Sequence, residues 1–79
     1  MKVDPDSFKY RLGRNIARIR ESQGITQAEM EVYTNISRAY YGRVELGIHS
    51  VSIDKLELIA KCFGIPVGEL FIDKDKQQL

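Results

Sequence analysis

The sequence predicts an all-α fold of five short helices around one core. Apolar residues recur at helical spacing, a capping residue or Asx-Pro start precedes each of the longer runs, and strand-type alternation persists nowhere. Seventy-nine residues, 43% of them hydrophobic, suffice for one small domain covering 1–79. There is no internal repeat and no low-complexity tract.

Asp4-Pro5-Asp6 opens the first helix, expected over about 5–23. An acceptor side chain precedes a proline whose missing N–H costs nothing in the first turn. Phe8, Leu12, Ile16 and Ile19 form its apolar stripe, and Arg11, Arg14 and Arg18 a basic stripe beside it. Gly24 is its left-handed stop.

Thr26-Gln27-Ala28-Glu29 is a capping box for a second helix over 27–34. Asn35, one of the few non-glycine residues that accepts positive φ, breaks it. Ser37 caps a third helix, placed at 37–46, and Gly47 ends it. Ser52 caps a fourth over 53–63, where Ile53, Leu56, Ile59, Ala60 and Phe63 make the stripe and Gly64 the stop. A brief fifth helix, weakened by Gly68, covers 66–72, and residues 73–79 are a polar tail.

Composition narrows the function classes. A single cysteine, Cys62, allows neither an internal disulfide nor a metal cluster and reads as a small core residue, which fits a reducing cytoplasm. Neither a signal peptide nor an apolar run near 18 residues is present, so no membrane span is expected. One histidine, no paired carboxylates in a cleft and no glycine-rich phosphate loop argue against an enzyme. No cofactor, metal or small-molecule ligand is expected.

The net charge of +1 conceals an asymmetry. Residues 8–43 carry seven basic groups (Lys9, Arg11, Arg14, Arg18, Arg20, Arg38, Arg43) against three acids (Glu21, Glu29, Glu31), for +4. Residues 44–79 carry four basic and six acidic groups, for −2, and residues 1–7 contribute −1. A basic first half suits a polyanion. Within it, the hairpin from Thr26 to Gly47 turns Arg38 and Arg43 outward on its second helix, an arrangement suited to the major groove of DNA.

Three stretches, LGRNIARIRESQGITQAEM, NISRAYYGRVELG and SIDKLELIAKCFGIPVGELF, carry a resemblance to the helix-turn-helix family of phage Cro and CI repressors, also called the XRE family. It runs from Leu12 to Phe71, roughly three quarters of the chain. Size and pattern look most like small stand-alone regulators, including restriction–modification controller proteins. The resemblance implies a lambda-repressor-like domain with its helix-turn-helix in the second and third helices. The chain departs from the family pattern at three places. Glu31 stands where the family has alanine, Asn35 where it has glycine, and Tyr41 where it has Ile or Val. Either Tyr41 donates to Glu31 or Glu31 turns to solvent.

By the same resemblance, the base-reading positions fall on Arg38, Ala39 and Arg43. An arginine there can bond guanine O6 and N7, and an alanine can touch a thymine methyl. Gln27 would brace a phosphate. Ser37 would act as a cap alone or as cap and phosphate donor; Tyr40 would reach a phosphate or cover the core edge. Arg14, Arg18 and His49 are further backbone candidates, with plain solvent exposure the other reading for each. Arg20 and Glu45 would form an ion pair joining the first helix to the third. Family members pair about a two-fold axis, and the candidate dimer face is Ile65, Val67, Leu70, Phe71 and Ile72, with Leu58 beside it.

The implied function is a sequence-specific transcriptional regulator that binds a near-palindromic double-stranded operator as a homodimer in the cytoplasm, with RNA polymerase a further partner. Repressor, activator and dual controller stay open. The other class is an antitoxin-type interaction module that also binds DNA, against which the shortness of both terminal segments argues.

Overall fold

A serine or threonine hydroxyl opens every α-helix of the fold. In the computed structural model, which describes residues 7–73, the elements are α1 (Phe8–Ser22), α2 (Gln27–Thr34), α3 (Arg38–Glu45), α4 (Ile53–Phe63) and a 3-10 helix (Val67–Phe71). Ser7, Thr26, Ser37 and Ser52 each accept a bond, 3.0–3.2 Å long, from the backbone N–H three residues on. Each satisfies a donor that the first helical turn leaves without a partner. Thr26 and Glu29 complete the expected box, with the Thr26 N–H donating back to Glu29 Oε1 at 2.8 Å. Asp4 and Pro5, the expected start, lie outside the described residues, and within those described Ser7 caps α1.

The turn between α2 and α3 sets their angle. Asn35 has φ 61° and ψ 22°, as expected of it. Its neighbour Thr34 is buried and closes the turn. The Thr34 hydroxyl donates to Met30 O at 2.6 Å and accepts from the Ile36 N–H at 3.2 Å.

Each α-helix, the turn and the 3-10 helix contribute to one core: Leu12 and Ile16 from α1, Met30 from α2, Ile36, Tyr41 and Val44 from the turn and α3, Leu56, Ile59, Ala60 and Phe63 from α4, and Leu70. Of the predicted stripes, Ile19 is only partly buried against it and two members are exposed. Phe8 is 56% exposed and Ile53 73%. Both sit at the first position of their helix, where the axis has already passed the edge of the core. Phe8 instead stacks on Phe71, with ring centroids 5.6 Å apart. Cys62 lies at the core's edge, half-buried, with its thiol 3.6 Å from Met30 Sδ; burial holds that thiol above the ordinary cysteine range.

The fifth element is a 3-10 helix over 67–71, not the longer helix expected over 66–72. Its bonds run three residues back, from Glu69 N to Pro66 O and from Ile72 N to Glu69 O. Glycine and a run this short do not sustain α-geometry.

Two glycines let α1 and α3 approach. A Cβ on Gly13 would lie 2.3 Å from Val44 O and 2.7 Å from Glu45 O, so the α1 backbone rests directly on the last carbonyls of α3. Gly47, at φ +79°, ends α3 against the Tyr10 backbone, where a Cβ would fall 2.7 Å from Tyr10 Cα.

A polar clamp fastens α1 to the chain's end. Asn15 is buried, and its Nδ2 donates to Leu70 O and to Asp73 Oδ1, both at 3.0 Å. Arg11 pairs with Asp73 at 3.5 Å. Asp73, expected at the head of a polar tail, is therefore tied to α1.

Candidate nucleic-acid interface

Helix α3 divides cleanly. Tyr41, Val44 and Glu45 are buried, while Arg38, Ala39 and Arg43 are exposed. Helical spacing sets 41 and 44 on one side and 39, 42 and 43 on the other, with Arg38 and Glu45, seven residues apart, at the boundary between them. The expected base-reading residues thus stand together on the outward face. Ala39, Gly42 and Arg43 border a notch closed by Gln27 at the start of α2, Ala17 of α1, and Leu46.

Behind this face lies the anticipated ion pair. Arg20 Nε donates to Glu45 Oε2 at 2.7 Å, and Nη2 donates to Oε1 at 3.1 Å. Arg20 Nη1 donates to Ile25 O at 2.8 Å, at the start of the chain's approach to α2. The side chains are 11% and 6% exposed, so the pair is largely withdrawn from water. The hydrogen bond and charge of Glu45 hold the Arg20 guanidinium above its ordinary range, outweighing desolvation.

Gln27 belongs to this pair rather than standing apart from it. Its Nε2 donates to Glu45 Oε1 at 2.9 Å, which ties the start of α2 to the end of α3. No spacing rule in the sequence connects residues 27 and 45.

Tyr41 also faces the pair. It is fully buried, and its hydroxyl makes no hydrogen bond, so the expected bond to Glu31 is absent. Of the two alternatives for Glu31, the one found is exposure to solvent. Burial first, and then the nearby Glu45 carboxylate, push the Tyr41 phenol far above its ordinary value. The hydroxyl is near enough to feel Glu45 and Arg20, yet it makes no hydrogen bond of acceptable geometry.

Beyond α3, Tyr40 organises the loop to α4. Its hydroxyl donates to Ser50 O at 2.7 Å. His49 stacks on its ring with centroids 5.4 Å apart, and Lys55 Nζ sits 5.6 Å from the ring centroid. Tyr40 and His49, both expected near the DNA backbone, are thus joined in one cluster with Lys55, which sequence reasoning passed over. Ser37, at the exposed head of α3, is a cap. The two α1 arginines part company. Arg14 is exposed and lies 5.9 Å over the Tyr10 ring. Arg18 turns instead to the C-terminal segment, where Nη2 donates to Asn15 Oδ1 at 3.1 Å and Ile72 O at 3.3 Å.

The expected dimer residues also divide. Leu70 is fully buried in the core and is unavailable to a partner, a correction to its assignment. The short 3-10 helix turns it into the same core as Ile59 and Phe63 of α4. Phe71 is 41% exposed and Leu58 44%, while Ile65, Val67 and Ile72 are half-buried. Phe71 shares an apolar cleft with Phe8 and Ile53 that reaches Val44 of α3.

Comparison with known proteins gives these features a family. Residues 16–70 match the helix-turn-helix model HTH_3. The chain is 32% identical over 73 residues to the control protein C.MunI of a Mycoplasma species, covering 91% of this chain and 99% of that one. Its fold is similar to the restriction-modification controller protein C.AhdI of Aeromonas hydrophila, with a TM-score of 0.77 at 27% identity over 78% of this chain and 94% of that one. It is also similar to the S. venezulae BldD DNA-binding domain, with a TM-score of 0.73 at 27% identity over 82% of this chain and 97% of that one. The chain belongs to the helix-turn-helix family of DNA-binding regulators.

Proposed function

We propose that this regulator binds a near-palindromic double-stranded operator as a homodimer and controls transcription in the manner of a restriction–modification controller. The carrying observation is the outward row Arg38, Ala39 and Arg43 on a helix whose opposite side is anchored by Tyr41, Val44 and the Arg20–Glu45 pair. Each arginine would hold a guanine bidentately, worth about 1–3 kcal/mol of discrimination, and Ala39 would touch a thymine methyl.

Phosphate contacts would fix the register. Ser37 and the head of α3, His49 and Lys55 beside the Tyr40 ring, and Arg14 would supply donors and positive charge, while the Tyr40 hydroxyl is committed to Ser50 O. Two copies would place their α3 helices about 34 Å apart, one turn of DNA. Each α3 must then lie within about 17 Å of the two-fold axis. The cleft of Phe8, Ile53 and Phe71, which reaches Val44 of α3, is the apolar surface that would pair there, with exposed Leu58 and half-buried Ile65, Val67 and Ile72 the other apolar candidates. The regulator would act in the cytoplasm, with RNA polymerase at the promoter as a further partner, and without catalysis.

The test is selection of bound DNA from random sequence, repeated with Arg43→Ala. The expected result is an inverted repeat for the wild type and lost preference at one base step per half-site for the variant. A wild type that enriches no sequence overturns the reading. Sedimentation at micromolar concentration with and without the selected duplex tests the dimer, and a monomer in both conditions would sink it.

A further inference from the structure

The side-chain amide of Gln27 is oriented by chemistry. Its nitrogen donates to Glu45 Oε1 at 2.9 Å, and that carboxylate also accepts both bonds from Arg20. A carboxylate held this way can only accept, so the amide must turn its NH2 group toward Glu45 and its carbonyl oxygen away. The anchor is rigid, because Arg20 is itself tied to Ile25 O at 2.8 Å.

The carbonyl oxygen emerges against Gly42, where an added Cβ would meet Gln27 Oε1 at 3.6 Å. Gly42 lies on the outward face of α3 between Ala39 and Arg43, and all of these residues border one open notch. An acceptor is therefore presented among the reading residues, held from behind by a largely buried ion pair. A carbonyl oxygen repels a phosphate. In the major groove its complement is an exocyclic amino group, and only adenine N6 and cytosine N4 offer one.

Resting on the DNA-reading function proposed above, we propose that Gln27 is a specificity-determining residue, whose Oε1 accepts a hydrogen bond from the exocyclic amino group of an adenine or cytosine beside the base contacted by Arg43. Sequence resemblance alone assigns Gln27 to a phosphate. The bond to Glu45 leaves one N–H for such a contact but turns the oxygen to the bases.

The probe is the duplex selected by the wild-type protein. Gln27→Met keeps the side chain's length and removes its acceptor. The expected result is a loss of preference at one A·T or C·G pair, roughly five- to hundredfold, with the steps read by Arg38 and Arg43 unchanged. A second arm leaves the protein untouched. Replacing the implicated adenine by purine, or the cytosine by 2-pyrimidinone, removes the amino group from the DNA. Wild-type affinity should fall by the same factor, and Gln27→Met should lose nothing further. A uniform fall of affinity on every sequence would make Gln27 a phosphate brace and overturn the proposal. So would a wild type indifferent to the missing amino group. If the wild type selects a site in which only the guanine steps matter, this inference fails while the reading by Arg38 and Arg43 survives. If it selects nothing, both fail.

Discussion

Arg20→Ala should cripple folding before it touches DNA binding. The substitution removes three hydrogen bonds at 2.7, 3.1 and 2.8 Å and leaves Glu45, whose side chain is 6% exposed, with only the Gln27 amide. A carboxylate stranded in this way costs about 3–5 kcal/mol. Domains carry roughly 0.05–0.15 kcal/mol of stability per residue, which for 79 residues is about 4–12 kcal/mol in total. The loss is thus between a quarter of the whole and all of it. At about 4–8 °C per kcal/mol for a domain of this size, the melting temperature should fall by more than about 12 °C. Thermal melts followed by circular dichroism at 222 nm measure that fall, and urea unfolding measures the free-energy loss. Glu45→Ala should cost a similar amount. Arg20→Met with Glu45→Met should sit closer to wild type than either single change, because no charge is then stranded. Loss of less than about 1 kcal/mol in Arg20→Ala would refute the reasoning, as would a double variant as unstable as the sum of its parts.

Tyr41→Phe should leave stability unchanged or raise it by about 1 kcal/mol, since it removes a buried hydroxyl that has no partner; a clear loss in the same urea assay would show that the hydroxyl is bonded. The same residue sets an alkaline limit. Its folded phenol is raised above the ordinary 10.0, so its contribution is complete below pH 10 and is lost as pH climbs beyond it. Tyr41→Phe should flatten that decline in melts between pH 8 and 11. Gly13→Ala should destabilise by roughly 1–3 kcal/mol despite alanine's better helix propensity, because the new methyl meets the Val44 carbonyl at 2.3 Å; a stabilised variant would mean that α1 and α3 can separate freely. Asn35→Ala should cost roughly 1–2 kcal/mol and Asn35→Gly almost nothing, as expected of a residue at φ 61°.

The reading row was legible in the sequence because it obeys a local rule. Once Ser37 and Gly47 bound a helix, the positions of Arg38, Ala39 and Arg43 relative to Tyr41 and Val44 follow from 3.6 residues per turn. Arg20 and Glu45 were legible only through resemblance, since 25 residues separate them and no periodicity links them. Gln27 was assigned from the same resemblance to a phosphate, and its bond to Glu45 depends on where α2 crosses α3. Arg18 shows the limit of a stripe. It shares a helix face with Arg14 in sequence, yet it bonds the C-terminal segment while Arg14 stays exposed beside Tyr10.

By itself the sequence determined where α2, α3 and α4 begin and where the chain turns between α2 and α3, because caps, positive-φ residues and apolar spacing act within a few residues. Ser37, Ser52, Thr26 and Asn35 do in the structure what their chemistry requires. The tertiary structure alone decided which apolar residues reach the core. It left Phe8 and Ile53 at the surface, drew Leu70 inside, and set Gly13 against the carbonyls of α3. It also turned the Gln27 oxygen toward Gly42. Each of these depends on contacts between elements far apart in the chain, whose geometry is set only when all the helices pack at once.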